Sequence, residues 1–103
     1  MTQKNILFIM LDQLRAYALS CYGNTVLGTP NIDRLANRGV KFNRCYVQGT
    51  SCGNSRASYY TGRHVRSHGA TWNGWPNRLD ELTLADHLAA CDMSTYLMGK
   101  THM

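Results

Sequence analysis

Residues 5–11, Asn-Ile-Leu-Phe-Ile-Met-Leu, form an almost unbroken apolar run that stops at Asp12 and Gln13. A run of that length without alternation suits a strand buried on both faces of a parallel sheet. Polar residues at its C-terminal end stand where ligands collect in open α/β sheets. A helix is predicted next. Thr29 fits its N-cap, Pro30 its first position, and Ile32, Leu35 and Ala36 its apolar stripe, with Gly39 as the stop. Residues 40–47 alternate through Val40, Phe42, Cys45 and Val47 with a slip at Asn43-Arg44, which predicts a second strand.

Residues 49–55 are small and polar and predict a loop, followed by a helix over 55–61 that Gly62 ends. No period runs through residues 63–80. Gly69, Gly74 and Pro76 punctuate a long loop there that carries Trp72 and Trp75, and loops of this length tend to be functional or poorly ordered. Thr83 and Asp86 have the spacing of a capping box ahead of Leu84, Ala85, Leu88 and Ala89, so a helix is expected to about Cys91. Residues 94–98 then read as a third buried strand. Strands alternating with helices predict an α/β fold. Three strands are fewer than a sheet usually has, so the expectation is an incomplete sheet flanked by helices.

Composition changes this picture modestly. Hydrophobic residues make up 44% and charged residues 17% of the 103 positions. Globular chains average about 25% charged, so these surfaces read as ones meant to be covered by more protein. The net charge is +5, but Arg34, Arg38, Lys41, Arg44, Arg56, Arg63 and Arg66 are scattered. Without a clustered basic face a nucleic-acid partner is not expected; an anionic small substrate fits the excess better. The four cysteines contain no Cys-x-x-Cys pair, which argues against a zinc ribbon or a redox motif. Cys21, Cys45 and Cys91 are expected as small buried hydrophobes. The first apolar run is too short for a secretory leader and no stretch approaches the roughly 20 apolar residues of a membrane span. The expectation is therefore a cytoplasmic protein with reduced thiols. His64 and His68 lie four apart but lack a third ligand, so a loop or site rim is expected there, and His87 reads as structural.

Three polar clusters remain: Asp12-Gln13, Cys52-Gly53-Asn54-Ser55-Arg56, and Lys100 with His102. Together they resemble one family. The stretch from Cys52 through Ala57-Ser58-Tyr59-Tyr60-Thr61-Gly62-Arg63 resembles the signature of the sulfatases of the alkaline phosphatase superfamily, Cys-x-Pro-x-Arg followed by small residues and Thr-Gly. Residues 5–9 with Asp12-Gln13 resemble that family's first strand and metal-binding pair. Thr29-Pro30-Asn31-Ile32-Asp33-Arg34-Leu35-Ala36 resembles its first helix, and Gly99-Lys100-Thr101-His102 its Gly-Lys-x-His segment. The resemblance covers essentially the whole chain in the family's order.

The resemblance implies an alkaline-phosphatase-like sheet and the N-terminal portion, residues 1–103, of a sulfatase catalytic domain with no second domain. It implies that Cys52 is converted to formylglycine, whose hydrate attacks the sulfur of a small-molecule sulfate ester and later expels sulfate. A divalent cation, calcium foremost, would be held by Asp12, Gln13 and the modified Cys52; hard cations take such oxygen ligands and acidify a bound hydroxyl. Arg56, one helical turn after Cys52, would orient the modified residue. Lys100 would neutralise sulfate oxygens. His102, on the same side of an extended chain as Lys100, would take the diol proton.

Two residues depart from the pattern: Asn54 stands where the family's modification motif has Pro, and Tyr17 where relatives often carry Asp. The family's remaining ligands and a leaving-group histidine lie later in longer chains, so the 103 residues are expected to be inactive alone. Open sheet edges predict self-association, a homo-oligomer included. The close rival is a phosphonate monoester hydrolase or phosphodiesterase of the same superfamily, which Lys100 and His102 disfavour. The rival of another class is a non-catalytic basic binding module.

Overall fold

The computed structural model describes residues 4–102. It divides into two compact units, Met1–Cys45 and Tyr46–Met103. The first holds helix α1 (Pro30–Arg38), preceded by two 3-10 turns at Ala16–Ala18 and Ser20–Tyr22. The second holds α2 (Cys52–Thr61), α3 (Val65–His68) and α4 (Leu84–Ala89). No helix among the described residues is long and apolar enough to cross a membrane.

In the first unit, Pro30 opens α1 as expected, but the Thr29 side chain does not cap it. Its hydroxyl donates instead to Asp33 at 3.2 Å and accepts from the Ser20 amide at 3.0 Å. Ser20 Oγ accepts from the Thr29 amide at 2.9 Å and donates to Asp33 at 2.6 Å. This polar knot pins the 3-10 turns to the start of α1. Asp33 also places negative charge in the first turn, where the helix dipole favours it. Gly39 ends α1 in an extended rather than left-handed conformation. Ile32 and Ala36 of the predicted stripe are half-buried, while Leu35 is 70% exposed.

In the second unit, α2 begins three residues before the sequence-based start, so Cys52 lies in the helix rather than in a loop. Gly62 closes it in the left-handed conformation, with its amide on the Ser58 carbonyl, as expected of a glycine there. The predicted capping box of α4 is present in both directions between Thr83 and Asp86. The long loop expected over 63–80 contains α3, which four residues are too few to announce by periodicity. Gly69 ends it at φ 81°.

The three predicted strands, 5–11, 40–47 and 94–98, do not form among the described residues. A strand is defined by its pairing, and an apolar segment extended without a partner strand leaves its side chains in solvent. Ile6, Leu7, Phe8 and Ile9 are accordingly exposed, as are Val40, Phe42, Tyr46 and Tyr96. The sulfatase-like sheet is thus an expectation that these residues do not display by themselves. Cys45 and Cys91 are exposed and Cys21 is half-buried, against the expectation of buried thiols.

Candidate active site

Cys52 is the first helical residue of α2 and is half-buried. Ser51, the N-cap residue, makes no side-chain cap. The cap comes from elsewhere: Asn73 Oδ1 accepts the Gly53 amide at 2.7 Å. Gly53 allows this approach because it has no side chain. A Cβ there would lie 3.0 Å from Asn73 Oδ1 and 3.2 Å from the Trp72 carbonyl. Asn54 is buried, and its amide nitrogen donates to the Thr71 carbonyl at 3.2 Å. Its side chain lies against Gly49, where any Cβ would collide with the Asn54 amide group. The segment 71–73 and Gly49 therefore grip the first turn of α2. That turn also presents the positive end of the helix dipole beside Cys52.

Arg56, one turn further, is 6% exposed. A buried guanidinium must be hydrogen-bonded. Its Nη1 donates to the main-chain carbonyl of Lys100 at 2.6 Å. This bond, 44 residues long in sequence, brings the segment of Lys100 and His102 to the helix of Cys52. The Lys100 and His102 side chains are exposed. Gly99 and His102 have φ of 97° and 58°, both left-handed. Alternation along an extended strand therefore does not set the directions of Lys100 and His102, contrary to the sequence-based argument.

Behind the first turns of α2 sits a group that sequence reasoning missed. His68 is fully buried at the end of α3. Its Nδ1 accepts from the Ala70 amide at 3.2 Å, so the ring proton belongs on Nε2, which donates to Ser58 Oγ at 2.9 Å. Ser58 Oγ donates in turn to the Asn54 carbonyl at 3.0 Å. Burial holds the His68 imidazole below the ordinary histidine range; the nearby Arg63 charge acts the same way and Glu81 opposes it. His64, by contrast, is exposed and its Nδ1 meets Gln48 Oε1 at 2.5 Å. The two histidines serve different places, and the four-residue spacing does not make a metal pair. In the sequence His68 stands in a stretch without periodicity, and nothing there marks it as buried.

Asp12 and Gln13 belong to the first unit. They form an exposed turn that ends the apolar run, and Gln13 has φ 57°, a left-handed conformation uncommon outside glycine. The Asp12 carboxylate and Gln13 carbonyl oxygens suit a hard cation. No group of three His, Cys, Asp or Glu side chains among the described residues can hold a metal ion. The pair is thus a partial ligand set. Trp72 and Trp75 are 59% and 64% exposed, so neither is a core residue of the second unit.

The sequence matches known proteins along nearly its whole length. The family model described as Sulfatase matches residues 4–103. An N-acetylglucosamine-6-O-sulfatase of Bacteroides thetaiotaomicron is 37% identical over 96% of this chain and 18% of its own length. Human steryl-sulfatase is 39% identical over 99% of this chain and 19% of its own. An arylsulfatase of Clostridium perfringens is 36% identical over 96% of this chain and 21% of its own. The chain spans about a fifth of the length of the curated relatives it matches.

Proposed function

This chain belongs to the sulfatase family, and from that premise we propose that the whole protein of which it is part hydrolyses small-molecule sulfate esters, with Cys52 as the site of the nucleophile. The observation that carries the reading is the bond from the buried Arg56 guanidinium to the Lys100 carbonyl. It joins two of the three polar clusters within one unit. A sulfate ester carries its charge on the non-bridging oxygens, and hydrolysis adds charge where the alcohol leaves. Cationic groups beside the attacked sulfur lower that cost most where water is scarce. Arg56 is held by burial and by its bond to the Lys100 carbonyl, and the exposed Lys100 supplies an ammonium from that same segment. His102, exposed two residues beyond Lys100, is the base of this reading.

Formylglycine at position 52, when present, would in its hydrated form supply two oxygens on one carbon, one to attack and one to expel the product, which a thiol lacks. The chain's own contribution is to hold residue 52 at a helix N-terminus through Gly53 and Asn73, with the Arg56 side chain one turn away. Asp12 and Gln13 are oxygen donors for a hard cation, calcium first. They are a partial set of ligands. The +5 charge is scattered, so a basic binding module has no surface feature in its favour.

Turnover of an aryl sulfate by the full-length protein tests this reading, alongside mass analysis of the peptide that contains residue 52. A Cys52→Ala variant is expected to lose at least about 1,000-fold in kcat/KM with unchanged thermal unfolding. Equal turnover by the variant, or wild-type protein that prefers phosphonate monoesters or phosphodiesters, would overturn it.

A further inference from the structure

The first turn of α2 lacks a cap from its own N-cap residue, Ser51. Asn73 fills that role from 20 residues away, through the 2.7 Å bond from the Gly53 amide. The fit is close on both sides. The Trp72 carbonyl and Asn73 Cα lie 3.2 Å from where a Gly53 Cβ would be, and Thr71 receives the Asn54 amide. The acceptor thus sits one residue beyond Cys52 on a segment held independently by two contacts to α2. Behind it, the Ala70 amide is fixed to the buried His68 ring, which bonds Ser58 in the second turn of the same helix. Segment 68–73 is clamped at both ends against α2, and the helix cannot rotate or fray at Cys52 without breaking the Asn73 bond.

We propose that Asn73 is a positioning residue for Cys52: its side-chain oxygen holds the first turn of α2 and so fixes the direction in which residue 52 presents its reacting atom. The role rests on the reading of Cys52 as the nucleophile. Reactions between held groups are sensitive to displacements of about 1 Å, which can cost about 100-fold in rate. A substitution that frees the turn therefore lowers kcat while leaving substrate affinity to the cationic groups.

The test uses full-length protein as wild type, Asn73→Ala and Asn73→Asp. The Asp variant keeps an acceptor oxygen in the same place, and the Ala variant removes it. With an aryl sulfate, N73A is expected to lower kcat between about 10- and 100-fold with KM changed less than about threefold, and N73D to recover most of kcat. Amide hydrogen exchange over residues 52–56 is read in parallel; N73A should speed it by about tenfold and N73D should restore protection. An unchanged kcat in N73A, or a loss in N73D as large as in N73A, overturns the proposal. If wild-type protein has no sulfatase turnover, the functional reading fails instead. The exchange measurement then decides alone: accelerated exchange in N73A with recovery in N73D supports the clamp, and exchange equal to wild type in N73A overturns it.

Discussion

The two units are ordered by different means. In Met1–Cys45 Leu19 is the one large hydrophobic residue classed as buried among the described residues, and the order comes from hydroxyls and a carboxylate: Ser20, Thr29 and Asp33. In Tyr46–Met103 the α2 helix buries Gly53, Asn54, Arg56, Ala57, Ser58 and Thr61, and the segment after α3 closes on it. The surroundings of Cys52 are thus organised within the second unit. The turn of Asp12 and Gln13 follows a run whose apolar side chains remain exposed. A buried polar network specifies geometry because each unmade bond is costly, while exposed hydrophobics specify only that something should cover them.

His68→Ala should separate the units most sharply. It deletes a fully buried ring and leaves the Ala70 amide and Ser58 hydroxyl without their partner, at a cost of about 3 kcal/mol. Hydrogen exchange in the full-length protein should show lost protection over 52–61 and unchanged protection over 30–38. Equal loss in both would break the comparison.

A smaller effect follows from pH. His68 is held neutral, its pKa lowered in the fold by burial. Below the ordinary histidine value of about 6.5 the unfolded chain binds the proton more readily than the folded one. Stability from this group is therefore present above that value and is lost as pH falls through it towards the lowered folded pKa. Protonation would also set Nδ1–H against the Ala70 amide. Protection of α2 in wild type should drop between neutral and mildly acidic pH, and His68→Gln should remove that pH dependence. A dependence that survives the substitution assigns the titration to another group.

The smallest change is expected from Asp33→Ala in the first unit. It removes the acceptor of Ser20 and Thr29, which are only partly buried, for about 1 kcal/mol. Faster exchange confined to the N-terminal turn of α1 would sharpen the contrast. Loss of protection around Cys52 would show that the units depend on one another.

Which features were legible follows from whether their causes are local. Pro30 at the start of α1, Gly62 after α2 and the Thr83–Asp86 box of α4 are set by neighbours within a few residues, and each is present as read. The Cys52-to-Arg56 spacing likewise needed only helical geometry. Family membership was legible because the motifs and their order are carried by the chain itself. The three strands were not realised, since apolar character states a wish for burial and leaves the partner unnamed.

The sequence by itself therefore determined the start of α1, the end of α2, the capping box of α4, the order of the polar clusters and the family. Tertiary structure alone decided that Asn73 caps the helix of Cys52, that Arg56 binds the Lys100 carbonyl, and that His68 is a buried partner of Ser58. Those bonds join residues 20, 44 and 10 positions apart. Hydrogen-bonding groups of that kind carry no periodic signal, and which acceptor each donor finds is settled only when distant backbone segments close on one another.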